Sequence, residues 1–166
     1  EYVNIVEDEV TDFSLESLTA EDWKIYRNKE YGFEIKYPKF FTVIKAKDYY
    51  GSDYYSSIYY GSIVDFQTKE YSCISGIEVE EKSIEEVEKN IDADLSSPGN
   101  YLVSKKEISI NNYKGIEYRS GFYEGGFTSI TILLPHNSKT YIISSCEESE
   151  LEDIFNQMLS TFRFLE

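Results

Sequence analysis

A chain of 166 residues is long enough for one domain with a sizeable core and too short for two comfortable ones. Its formal net charge of −15 at pH 7 argues against nucleic acid and anionic membrane surfaces as partners, since holding phosphates needs a basic face. Tyrosine is frequent, at 16 residues, which favours strands and wet surfaces over an all-helical core.

The first stretch, residues 1–22, is an acidic leader or linker: Glu1, Glu7, Asp8, Glu9, Asp12, Glu16, Glu21 and Asp22 occur with no lysine or arginine. Such composition reads as a solvated tail, the alternative being an acidic arm that binds cations or a basic partner. Ile5, Val6, Val10, Phe13, Leu15 and Leu18 recur within it, so part of it fits a short helix lying on the domain. No run is long or apolar enough to span a membrane. The chain starts with Glu1, as a mature or trimmed form does, so a missing signal peptide is no evidence for the cytoplasm.

The rest, residues 23–166, reads as a single sheet-rich domain. Trp23, Ile25, Phe33, Ile35 and Tyr37 alternate with Lys24, Tyr26, Glu34 and Lys36, the period of two short strands with one buried face. The polar run Arg27 to Glu30 and Gly32 supply the turn, and Pro38 ends the second strand. Thr42 to Lys45 fits a further strand. Tyrosines then come in three pairs (Tyr49–Tyr50, Tyr54–Tyr55, Tyr59–Tyr60) within a glycine- and serine-containing loop, residues 48–62. Tyr54, Tyr55 and Tyr59 are candidate ligand contacts there; one tyrosine of each pair packing inward explains the pattern as well.

Ile58 to Phe66 and Ser72 to Glu81 form a predicted hairpin about Thr68, Lys69 and Glu70. Ser83 and Glu86 make a capping box, and Ile84, Val87, Ile91 and Leu95 give one apolar stripe on a helix. Ser97, Pro98, Gly99 and Asn100 stop it. Four strands follow: Val103 to Ile110, a turn over 111–115, Ile116 to Phe122, a turn at Glu124 to Gly126, Phe127 to Leu134, a turn over 135–138, and Thr140 to Cys146. Short loops make them antiparallel. A second capping box, Ser149 to Glu152, opens a last helix whose buried face is Leu151, Ile154, Phe155, Met158, Leu159 and Phe162.

The chemistry-bearing signals are sparse. His136, the one histidine, sits in a predicted turn without a G-x-S-x-G elbow elsewhere, so no catalytic residue is assigned. No C-x-x-C, H-E-x-x-H or calcium-loop spacing occurs, and neither a metal ligand set nor a cofactor is expected. Arg119, Tyr123 and Glu124 would line a small polar cleft if they shared a sheet face; the alternative is a solvent-facing strand end and a turn. Cys73 and Cys146 fit either a bridge or two small buried thiols, a choice for geometry.

Two motifs point to a family. The phrase N-x-E-Y-G-F-x-I-x-Y-P, Asn28 to Pro38, resembles the opening of bacterial PsbP-like domains, and Leu159 to Phe164 resembles their end. That resemblance implies an α/β (α+β) fold, an antiparallel β-sheet flanked by helices in a PsbP-like α/β/α sandwich. It also implies an extracytoplasmic, secreted or envelope-anchored protein with a lipid anchor upstream of residue 1. The photosynthetic members help retain manganese-cluster cofactors, but no matching ligand motif occurs and no family site is carried over. The expectation is a non-enzymatic binding or assembly module for a protein partner or cell-surface component. The alternative is a divalent-cation or small-molecule binder using acidic residues and the Tyr-rich loop, with an enzyme third.

Overall fold

The computed structural model describes residues 19–45, 62–67, 74–123, 128–146 and 149–166. The leader through residue 18, the tyrosine pairs and the Glu124 turn lie outside the described residues.

A 3₁₀ turn, Ala20–Asp22, leads into β1 (Trp23–Asn28) and β2 (Phe33–Pro38), which pair antiparallel with Asn28 opposite Phe33. Asn28 Oδ1 accepts hydrogen bonds from the amides of Glu30 and Tyr31 at 3.1 and 3.0 Å, and Gly32 takes the left-handed position at φ +68. The chain's last strand, β10 (Arg163–Phe164), adds to the other side of β2 and completes a three-stranded sheet, β1-β2-β10. That closing strand was not foreseen from the sequence, where Phe162 reads as the tail of a helix.

Arg27, Glu34 and Arg163 stand opposite one another across these strands. Glu34 accepts from Arg27 Nε at 2.7 Å and from Arg163 Nε at 2.5 Å. The Arg27 hydrogen bond, followed by that from Arg163, holds the Glu34 carboxyl below its usual range despite burial. A carboxyl held low stabilises the fold above its unfolded pKa and loses that contribution as pH falls through its folded value. Asp22 behaves alike, lowered to about 2 chiefly by Lys39. Thermal unfolding should therefore show a falling Tm below about pH 4.3. In Glu34→Gln the Tm is lower at neutral pH and the acid drop is shallower.

Among the described residues the larger sheet has seven strands: β3 (Thr42–Lys45), β4 (Ser62–Gln67), β5 (Ile74–Glu80), β6 (Asn100–Ile110), β7 (Tyr113–Phe122), β8 (Thr128–His136) and β9 (Lys139–Cys146). Their order is β3-β4-β5-β9-β8-β7-β6 and every neighbouring pair is antiparallel. Two hairpins close on only two residues. Asn111 and Asn112 have φ of 48 and 70, Asn137 and Ser138 of 49 and 64, the doubly positive pair that matches strand twist. The predicted turns over 111–115 and 135–138 are thus shorter. His136 is the last residue of β8, its ring stacked on Phe164 at 3.8 Å.

Helix α1 (Ile84–Leu95) has the predicted capping box: Ser83 Oγ accepts from the Glu86 amide at 3.3 Å, and Glu86 Oε2 accepts from the Ser83 amide at 3.1 Å. It covers one face of the large sheet, packing Val87, Ile91 and Leu95 on Tyr118 and Leu133. Helix α2 (Ser149–Thr161) and the small sheet cover the other, joining Phe33, Ile35, Phe66, Ile143, Phe155 and Phe162 in the main core. Among the described residues α2 begins at Ser149. The antiparallel, helix-flanked α+β class expected from the sequence is what the chain adopts; its division into two sheets is new.

One glycine marks how tightly β7 and β8 fit. A Cβ on Gly115 would lie 2.3 Å from the Leu133 carbonyl oxygen and 2.6 Å from Leu134 Cδ2. The carbonyl belongs to the strand backbone and cannot swing aside, so Gly115→Ala should lose about 1–3 kcal/mol in denaturant titration.

Candidate binding surface

Of the site residues suggested by the sequence, Arg119 and Tyr123 fall among the described residues. Tyr54, Tyr55, Tyr59 and Glu124 lie outside the described residues. Arg119 donates through Nε to Glu117 Oε1 at 3.0 Å and through Nη2 to Glu152 Oε1 at 2.6 Å. Glu117 is also paired with Lys106 at 2.9 Å. Burial would raise the Glu117 carboxyl, but the hydrogen bonds from Lys106 and Arg119 outweigh it and hold it low. This network ties β6 and β7 to the first turns of α2. Glu152, predicted in a capping box, links the helix to Arg119. Tyr123 sits apart from it, exposed, its ring 4.7 Å from that of Tyr101.

Cys146 is disulfide-bonded. The sequence holds one other cysteine, Cys73, which itself lies outside the described residues, just before β5. In the ladder β5 and β9 are neighbours, with Gly76 opposite Ser144.

A cleft of about 530 Å³ with mixed polar and apolar walls opens where the β1–β2 turn faces Lys45 and Ile63. Its polar groups maintain the turn and the small sheet: Asn28 Oδ1 holds two amides and Arg27 holds Glu34. No group of three or more His, Cys, Asp or Glu poised for a metal occurs among the described residues.

The most distinctive surface is at the far end of β6 and β7. Leu102, Val103, Phe122 and Tyr123 are 47%, 54%, 60% and 75% exposed. Asn100 stands opposite Phe122 and Leu102 opposite Ser120, so Leu102 and Phe122 are diagonal neighbours on the α1 side. Tyr101 stands opposite Gly121 on the reverse side, and its ring occupies the room a side chain there would need: a Cβ on Gly121 would meet Tyr101 Oη at 2.5 Å. The register shifts between Leu102 and Ser104, placing Val103 at a bulge on an edge strand. No strand pairs with the outer side of β6 among the described residues, so backbone donors and acceptors line this end beside the aromatic rings.

The local cause is that α1 stops short of the sheet's end. Ser96 caps it with its amide on Asp92 and Ala93 carbonyls, both 3.2 Å. The chain turns through Gly99 at φ +96 and re-enters the sheet at Asn100. Asn100 Nδ2 donates to the Asp94 carbonyl at 2.7 Å, and the Tyr123 amide donates to Gly99 O at 2.9 Å. The helix end and the apolar end of the sheet are therefore fixed side by side. Farther back, Lys105 pairs with Glu88 at 2.9 Å and Asp92 at 3.6 Å, its ammonium 4.8 Å over the Tyr118 ring. The Tyr118 hydroxyl and then Glu88 push the Lys105 pKa up.

Sequence reasoning named Tyr123 but missed Leu102, Val103 and Phe122. A signal was present: Tyr101, Leu102 and Val103 are consecutive, as are Phe122 and Tyr123. Apolar residues on both parities of a half-buried strand cannot all face one core.

No family model and no curated protein matches the chain. Among solved structures it is similar to cyanobacterial PsbP (CyanoP) from Synechocystis sp. PCC 6803, at 12% identity and TM-score 0.59, over 92% of this chain and 98% of that one. A protein of unknown function from Pseudomonas aeruginosa, PA94, gives 12% identity and TM-score 0.47, over 84% of this chain and 94% of that one. A Bacteroides thetaiotaomicron VPI-5482 protein gives 12% identity and TM-score 0.48, over 87% of this chain and 49% of that one. The chain has the PsbP-like fold, as its opening and closing motifs suggested.

Proposed function

We propose that this PsbP-like chain is a non-enzymatic, extracytoplasmic binding or assembly module that docks a protein partner on the β6–β7 end. The observation that carries the reading is the grouping of Leu102, Val103, Phe122 and Tyr123 in the open at one end of β6 and β7. Exposed apolar groups cluster where another surface covers them, and an open edge strand adds backbone pairing to side-chain anchorage. The disulfide at Cys146 supports an oxidising compartment. No helix among the described residues is long and apolar enough to cross a membrane.

The double variant Phe122→Ser, Tyr123→Ser tests the surface. Both side chains are largely exposed, so its stability should stay within about 0.5 kcal/mol of the parent. A partner recovered with the tagged parent from native envelope extract should fall by about tenfold or more with the variant, as expected for loss of central anchors. Undiminished recovery of the same partner would move the docking site elsewhere.

A further inference from the structure

We propose that the occupant of the β6–β7 end is a basic protein segment, an apolar or aromatic anchor flanked by lysine or arginine; this rests on the docking reading above. Three features of the adjoining helix specify the charge. Helix α1 carries five acidic residues, Glu85, Glu86, Glu88, Asp92 and Asp94, against Lys89 alone. Its last turn holds Asp92 and Asp94 with no basic residue, although a helix C-terminus already bears about half a negative charge that favours cations. These two carboxylates therefore sit where their own helix disfavours them; Lys105 already reaches Asp92 at 3.6 Å, and a cation from outside would relieve Asp94 and add to what Asp92 has.

The placement puts that charge beside the apolar anchors. Asn100 bonds to the Asp94 carbonyl and stands opposite Phe122, with Leu102 on the same sheet side. The Asp92 side chain is 54% exposed despite its contact with Lys105, and Asp94 is exposed. A segment seating an apolar residue against Leu102 and Phe122 brings its neighbouring side chains to the end of α1. A second copy of this chain fits poorly, since its −15 net charge would oppose the same acidic rim. Electrostatic complementarity of this kind sets partner choice and encounter rate and weakens with salt.

The test uses the full chain and two short synthetic peptides that alternate aromatic and polar residues, identical except that the polar positions are lysine in one and glutamine in the other. Binding is followed by amide chemical shifts. The lysine peptide should bind about tenfold more tightly at low salt, an advantage that shrinks at high salt. Its shifts should centre on Leu102, Phe122, Tyr123 and Asp94. Asp94→Asn, alone and with Asp92→Asn, should remove the advantage without weakening the glutamine peptide; Phe122→Ser should weaken both peptides. Equal affinity of the two peptides at this surface would overturn the basic-segment proposal while leaving the docking surface standing. Shifts centred on any other face would overturn both.

Discussion

Replacing Phe33 with alanine should cost about 3–5 kcal/mol, the range for deleting a fully buried aromatic ring. Phe33 has 0% exposure. Its ring stacks on Phe162 at 5.6 Å and meets Tyr141 at 6.0 Å and Tyr26 at 5.9 Å. It stands on β2, opposite both Asn28 of β1 and Phe164 of β10. One side chain thus joins the small sheet, the large sheet and the segment just after α2. Truncation leaves a cavity bounded by three strands that backbone pairing prevents from collapsing. For a chain of this size each kcal/mol moves Tm by about 2–4 °C, so a fall of roughly 10 °C is expected. Guanidinium unfolding of Phe33→Ala beside Phe122→Ser makes the contrast, because Phe122 is 60% exposed and should change stability by at most about 0.5 kcal/mol. A loss below about 1 kcal/mol for Phe33→Ala would mean that the two sheets do not share one core.

Reducing the disulfide at Cys146 should lower stability by about 4 kcal/mol, as for opening a long loop. With Cys73 the sole remaining cysteine, the closed loop includes α1 and strands β6 to β8. The effect acts chiefly on the unfolded chain, which regains the freedom that the crosslink removes. The native ladder between β5 and β9 persists without it, since Gly76 to Glu80 pair with Thr140 to Ser144. Denaturant unfolding with and without reductant should therefore show a lower midpoint and an intact folded baseline. A Cys73→Ser, Cys146→Ser variant should match the reduced parent and ignore reductant. Unchanged parent stability on reduction would contradict the expected contribution.

Local periodicity made most elements legible, but not their assembly. The Ser83 capping box, the α1 stripe and the alternation of β7 are set by residues a few positions apart, and each stands where the sequence predicts. Trp23 to Tyr37 alternates much as the meander does, yet β1 and β2 leave the large sheet to pair with β10. On β1 the alternation also points to the wrong face, since Ile25 is 54% exposed while Tyr26 packs on the core, and alternation does not say which sheet supplies the partner. Glu152 shows the same gap: next to Ser149 it resembles a capping residue, while its partner Arg119 is 33 positions away. Phe122 follows the inward parity of Ile116 and Tyr118, but α1 ends before reaching it, so sharing a face with core residues did not bury it.

The proposed docking surface is tested most directly by site-specific photo-crosslinking in the cells that produce the protein. A benzophenone side chain replaces Phe122 in one version of the full chain and Lys24, exposed on β1, in another. Crosslinking at position 122 should give one discrete adduct that disappears when Tyr123 and Leu102 are changed to serine, while position 24 gives none. Equal adduct yield at positions 24 and 122, or a discrete adduct at position 24 alone, would contradict the assignment of the β6–β7 end as the partner's seat.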